Sequence, residues 1–195
     1  NLNFIRFDAV QLAVDYRYGT GHQFNMADCE VRQAKAHNNE AGVFLEAQVP
    51  AQFELQRNRF TSNGQVLAVR TRLAAVAEVL IAGNILSGST DADSSTGIEL
   101  ITLETSQIAL TIANNIIHAV AGCNCGGAAA VDLRTNDQSV ANVKILGNTV
   151  DDIRAGGTAI TAMTPGGTSQ LVVDAPTNTF TRAGMAFSAP SSPAS

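Results

Sequence analysis

Tryptophan is absent from this chain of 195 residues, and aromatic side chains of all kinds make up only 5%. Charged residues reach 15%, well short of the roughly 25% of an average soluble domain. Basic residues are the scarcer sign, with 12 Lys and Arg against 17 Asp and Glu and a net charge of -5. That deficit excludes a nucleic-acid footprint, which needs clustered Lys and Arg. No apolar run approaches the roughly 18 residues of a helical membrane span. Only three cysteines occur, Cys29, Cys123 and Cys125, too few and too odd in number for a disulfide framework. Cys123-Asn124-Cys125 is also shorter than the common zinc spacing and has no second ligand pair downstream. Disorder is excluded as well, because apolar residues recur along almost the whole chain.

What is present is a repeat. The template apolar-x-apolar-x-x-Asn-x-apolar occurs at Phe53/Leu55/Asn58/Phe60, at Val79/Ile81/Asn84/Leu86, at Leu110/Ile112/Asn115/Ile117 and at Val143/Ile145/Asn148/Val150. An earlier copy, Phe24/Met26/Cys29/Val31, places Cys in the Asn slot. A later one, Leu171/Val173 followed by Asn178/Phe180, reads as carrying two extra residues around Pro176. Between copies lies a second short apolar segment, usually opened by glycine, as in Gly42-Val43-Phe44-Leu45 and Gly97-Ile98-Glu99-Leu100.

Alternation of apolar and polar residues means strand, not helix. Strands this short, recurring once per period, cannot each close a hairpin core. They can coil, each strand pairing in parallel with its equivalent one turn later at about 4.8 Å. The expected fold class is all-β: a right-handed single-stranded parallel β-helix of about six to seven coils, with an Asn-rich turn ladder. The Asn slot suits a sharp bend, because Asn tolerates the left-handed backbone region, and stacked amides can hydrogen-bond along the axis. The β-helix is expected over 1–188, with 189–195 as a Pro/Ser-rich tail or linker. The chain opens directly on a strand pattern, so it is expected to be part of a longer protein.

The repeated Val/Ile-x-x-Asn-x-Ile/Val followed by Gly-Ile-x-Leu resembles the right-handed parallel β-helix of the pectate-lyase-like superfamily, with no specific member singled out. The resemblance covers roughly residues 5–187. It implies the fold but does not choose among polysaccharide lyases, hydrolases, epimerases, tailspikes and non-catalytic adhesins. Asp151-Asp152 is similar to the paired Asp of polygalacturonase-like hydrolases, yet their companion motifs are absent. Tyr18-Gly19-Thr20-Gly21-His22 is only a faint echo of the alginate-epimerase motif.

Aligning the Gly-opened strands puts Val10, Val43, Leu67, Ile98, Val131, Ile160 and Met185 inward. The position after each faces out: Gln11, Phe44, Ala68, Glu99, Asp132, Thr161 and Ala186. The next outward column holds Ala13, Glu46, Arg70, Ile101, Arg134, Ala162 or Met163, and Ser188. Glu99 and Asp132 therefore fall at one height on neighbouring coils, with Arg134 and Arg70 beside them. Two close carboxylates suit acid–base work or a cation such as Ca²⁺, and an Arg suits a uronate carboxylate or proton abstraction. Glu99, Asp132 and Arg134 are the candidate catalytic residues; Arg70, Glu46, Phe44 and Tyr18 are the candidate binding residues. The alternative is a solvated ladder of charges that keeps a sheet face wet.

No metal site and no cofactor are expected beyond that Ca²⁺ option: His22, His37 and His118 lack metal-ligand spacing, and Asp91-x-Asp93 lacks the rest of an EF-hand. The longest connections, Gln33 to Glu40, Ser87 to Thr96 and Ala119 to Ala129, would wall one edge of the Glu99/Asp132 face. The first functional expectation is an extracellular, cell-surface or virion-surface module that engages polysaccharide along its solvent-facing strands. Exposed aromatics for stacking on sugar would be Tyr16, Tyr18 and Phe44. The second is a structural segment of a fibre, spike or surface assembly, with flanking chain or other subunits on the coil ends. An enzyme acting on polysaccharide comes third.

Overall fold

A computed structural model describes residues 1–8, 13–17, 23–34, 41–62, 65–88, 96–118, 129–151, 153, 158–165, 167–182 and 185–188. Among these residues twenty-one strands fall into three parallel sheets of seven. The first sheet stacks β1 (Leu2–Asn3), β4 (Gln23–Ala27), β7 (Ala51–Gln56), β10 (Val76–Ala82), β13 (Gln107–Ala113), β16 (Val140–Leu146) and β19 (Gln170–Asp174). The second stacks β2 (Arg6–Asp8), β5 (Glu30–Ala34), β8 (Arg59–Ser62), β11 (Ile85–Ser87), β14 (Ile116–His118), β17 (Thr149–Asp151) and β20 (Thr179–Thr181). The third stacks β3 (Val14–Tyr16), β6 (Ala41–Ala47), β9 (Gln65–Thr71), β12 (Thr96–Thr102), β15 (Ala129–Thr135), β18 (Thr158–Met163) and β21 (Met185–Ser188). The chain visits the sheets in rotation, so it is an all-β parallel solenoid. Among the described residues no helix is long and apolar enough to cross a membrane.

Its interior is a set of aliphatic columns one strand spacing apart. Leu55, Ile81, Ile112 and Ile145 stack in one, and Phe60, Leu86, Ile117 and Val150 in another, all buried. The last copy of the repeat is more regular than its sequence suggests. Val173 pairs with Val143 and Leu171 with Ala141, so Asn178 sits at the usual distance with Ala175 in the second apolar slot. Pro176 marks no insertion.

The Asn ladder is continuous. Asn58, Asn84 and Asn115 each donate from Nδ2 to the Oδ1 of the next coil's Asn at 2.9–3.0 Å, and Asn148 does so to Asn178. The same Oδ1 accepts the backbone N–H of the Asn below it, and the second Nδ2 hydrogen reaches a carbonyl of the preceding coil. Cys29 holds the slot at the other end: its N–H donates to Asn58 Oδ1 and its Sγ lies 3.5 Å from Leu2 O.

The Asn itself is not the left-handed residue. Positive φ falls one position earlier, at Asp28, Arg57, Gly83, Asn114 and Gly147. The Asn is there because a buried corner needs its donor and acceptor together. A second ladder crosses the corner between the third and first sheets. There Leu73, Glu104 and Asp137 are left-handed, Leu73 N–H donates to Glu104 Oε2, and Glu104 N–H donates to Asp137 Oδ2. Inside that corner Thr71 bonds Ser106 and Thr102 bonds Ser139 through their hydroxyls.

Candidate functional site

The outer faces of the sheets differ in how wet they are. In the first sheet β7, β10 and β13 alternate buried and accessible residues, as a half-solvated strand should. In the third sheet β6 is buried at every position, and β9 and β15 at all but one. On these three strands most outward side chains are sheltered as well as the inward ones.

Strand pairing sets them in two columns. Asp15, Phe44, Ala68, Glu99, Asp132 and Thr161 lie in register in the first. Glu46, Arg70, Ile101, Arg134 and Met163 lie in register in the second. Arg17 extends the second column, since it follows Tyr16, which pairs with Leu45, and so falls opposite Glu46. The expected neighbours Glu99 and Asp132 are brought together, with Arg134 and Arg70 beside them.

The ends of the columns correct the sequence alignment. Val43 pairs with Val14, not Val10, so Asp15 takes the place assigned to Gln11 and Arg17 that assigned to Ala13. Ile160 pairs with Phe187 rather than Met185, so Ser188 rather than Ala186 stands beside Thr161. Both shifts are even, which leaves the inward and outward parity unchanged. Nothing in the first coil marks where its third strand begins.

Glu46 and Asp132 are the most confined charges on this face, 3% and 5% exposed. Asp132 Oδ2 accepts from Arg134 Nη2 at 2.6 Å and Nε at 3.0 Å, while Asp132 Oδ1 is buried with no hydrogen-bond partner among the described residues. Partial burial lowers the Arg134 pKa, but the hydrogen bond and charge of Asp132, helped by Glu99, outweigh it and raise the guanidinium above its usual value. A cation held this firmly is a poor proton acceptor, so Arg134 suits recognition of an anion rather than proton abstraction. Two of its five donors are used, leaving three. Glu46 is buried, accepting from Gln48 Nε2 at 2.8 Å with Arg72 Nη1 at 4.0 Å. Nε of Arg70 and of Arg72 are buried without hydrogen-bond partners among the described residues.

Phe44 is not an exposed sugar platform. It is 3% exposed, with the Arg17 guanidinium 4.4 Å and that of Arg70 5.2 Å from its ring centroid. Because β6 lies between β3 and β9, the two cations reach it from neighbouring strands on either side. Tyr16 turns away from the face and packs on Phe24 and Phe53. Tyr18, His22, His37, Asp91, Asp93, Cys123, Cys125, Asp152 and the 189–195 tail lie outside the described residues, as do most of the three long connections. Arg17, Arg72 and Gln48 are part of the face and were not singled out from sequence. Asp-x-Arg at Asp15/Arg17 and again at Asp132/Arg134 was a usable signal.

Glu99 and Asp132 offer a cation two carboxylates, one already engaged by Arg134, where Ca²⁺ takes roughly six to eight oxygens. Among the described residues no group of three or more His, Cys, Asp or Glu side chains could hold a metal. Two shallow depressions open on other faces, around Gln52, Glu78 and Ala109 on the first sheet and Glu30, Arg32 and Arg59 on the second. Neither holds a confined charge like Asp132. Comparison of the chain with protein-family models, curated proteins and solved structures gave no match.

Proposed function

We propose that the outer face of the third sheet binds a polysaccharide lying along the solenoid axis, in an extracellular, cell-surface or virion-surface setting. The observation that carries this reading is Asp132, a buried carboxylate with one unpaired oxygen, in register with Glu99 and held by a half-exposed Arg134. A buried acceptor without a partner is costly, and a ligand hydroxyl relieves that cost. Columns repeating at strand spacing suit a polymer that advances by a similar step per sugar. The resemblance of the repeat to the pectate-lyase-like superfamily supports the same class of ligand.

Affinity electrophoresis across acidic and neutral polysaccharides tests the reading, with Asp132→Asn as the paired variant. Retardation by at least one polymer, lost in Asp132→Asn, is the expected result. Retardation by none, or by the variant equally, removes it. Release of reducing ends or unsaturated uronides by the native protein, lost in Asp132→Ala, would raise the face from a binding surface to an active site.

A second reading, a structural segment stacked on further chain or subunits, is favoured by the last coil. Leu171, Val173 and Phe180 are only partly buried, whereas their equivalents Ala141, Val143 and Val150 are buried.

A further inference from the structure

The second outward column of the third sheet has a period of two coils. Arg17, Arg70 and Arg134 occupy alternate positions, and Glu46, Ile101 and Met163 fill the ones between. Adjacent guanidinium positions are thus two strands apart, about 9.6 Å. All three side chains are accessible: Arg17 is 36% and Arg134 42% exposed, and Arg70 is half-buried. Each is also braced. Arg17 is held by Asp15 at 2.5 Å and by Phe44, Arg70 by Phe44 from the other side, and Arg134 by Asp132. Braced guanidiniums lose little freedom on binding, and their remaining donors match carboxylate or sulfate oxygens.

The intervening positions are as informative. A carboxylate set over Ile101 or Met163 finds no donor there, and one set over Glu46 meets a like charge. The first column, with Asp15, Glu99 and Asp132, offers only acceptors at its polar positions apart from Thr161, which suits sugar hydroxyls and repels anions.

Resting on the reading of this face as a polysaccharide surface, we infer that its occupant is an acidic polysaccharide with one anionic group per two sugars, an alternating acidic–neutral chain whose charges meet Arg17, Arg70 and Arg134. One cation per disaccharide reads the charged sugar, and the residue between accommodates the neutral one.

Calorimetry on the intact chain tests this with three probes of equal length. They are a hyaluronan oligosaccharide, which alternates glucuronate with a neutral sugar, its carboxyl-reduced neutral counterpart, and an oligogalacturonate charged at every sugar. The expected result is binding of the hyaluronan probe, weakened about tenfold or more by carboxyl reduction. Arg70→Gln and Arg134→Gln should each lower its affinity by about tenfold, with raised salt doing the same, while the second-sheet variant Arg59→Gln leaves it unchanged. Equal binding of the carboxyl-reduced probe would overturn the inference and leave the polysaccharide reading standing. Tighter binding of oligogalacturonate would overturn the alternation. Binding of none of the three would overturn both. Circular dichroism of the Arg variants separates lost contacts from lost fold.

Discussion

Asn115 Oδ1 accepts two hydrogen bonds from Asn84, one from its backbone N–H at 2.9 Å and one from its Nδ2 at 3.0 Å. Asn115 in turn donates from Nδ2 to Ile81 O and to Asn148 Oδ1, so a single buried side chain satisfies groups on the coils either side of its own.

Asn115→Ala therefore orphans two buried donors and deprives two acceptors, and should cost roughly 3–5 kcal/mol in urea unfolding. Asn178→Ala, at the partly buried end of the ladder, should cost roughly 1–2 kcal/mol. Equal losses at the two positions would refute the ladder as a source of stability.

Two glycines make opposite predictions. A Cβ on Gly97 would lie 2.7 Å from Ala130 O and 2.8 Å from Ile117 Cγ2, so Gly97→Ala must push two strands apart and should cost roughly 1–3 kcal/mol. Gly83 has φ +65° with its nearest neighbour at 3.7 Å, and its equivalents one coil on either side are Asn114 and Arg57. Gly83→Asn should be tolerated within about 1 kcal/mol. Thermal unfolding of the two variants side by side checks the contrast.

Arg57 grips Asp28 through Nε at 2.8 Å and Nη2 at 2.7 Å. That hydrogen bond, opposed by some desolvation and aided by the charge, holds the Asp28 carboxyl below its usual 3.8. A lowered folded pKa means the pair stabilises the fold fully above the unfolded value, and that contribution disappears as pH falls through the folded value. The stability gap between native protein and Arg57→Gln should therefore be open at neutral pH and close below about 3.8. A carboxyl titration by NMR should show Asp28 moving up in the variant. A gap that persists in strong acid would rule out the pair as its origin.

Phe44 should behave as a packed residue and not as a ligand contact. Phe44→Leu keeps most of the apolar volume and should cost roughly 1–2 kcal/mol, with Phe44→Ala costing about 3 kcal/mol. Binding of carbohydrate by the folded Phe44→Leu protein should stay within about fivefold of native, since stacked Arg on an aromatic adds about 1 kcal/mol or less at accessible sites. Abolished binding with unchanged stability would restore Phe44 as a sugar platform.

The coil pattern was legible because a buried strand must alternate and a buried corner must carry its own donors and acceptors; Leu55, Asn58 and Phe60 announce both requirements in six residues. The register of Glu99 with Asp132 followed from the same rule, with Gly97 marking the strand start. At the third-to-first corner the pattern was mute. Leu73, Glu104 and Asp137 share a backbone conformation, but only the two carboxylates accept from the coil below, and an apolar Leu at the third position breaks the pattern. Phe44 was misread for a related reason: parity told which way it points, and only three dimensions told that Arg17 and Arg70 cover it. The left-handed position was misplaced by one residue, although Gly83, Asn114 and Gly147 all stand just before their Asn.

Each ladder Asn addresses only the coil above and the coil below, in one chemical vocabulary and one direction. Whole coils are therefore exchangeable parts, and the molecule can be lengthened or shortened in integral steps without rewriting what remains. Two added coils would bring one more arginine into the outward column, so on the proposed reading reach along a polymer and valency toward it would grow together.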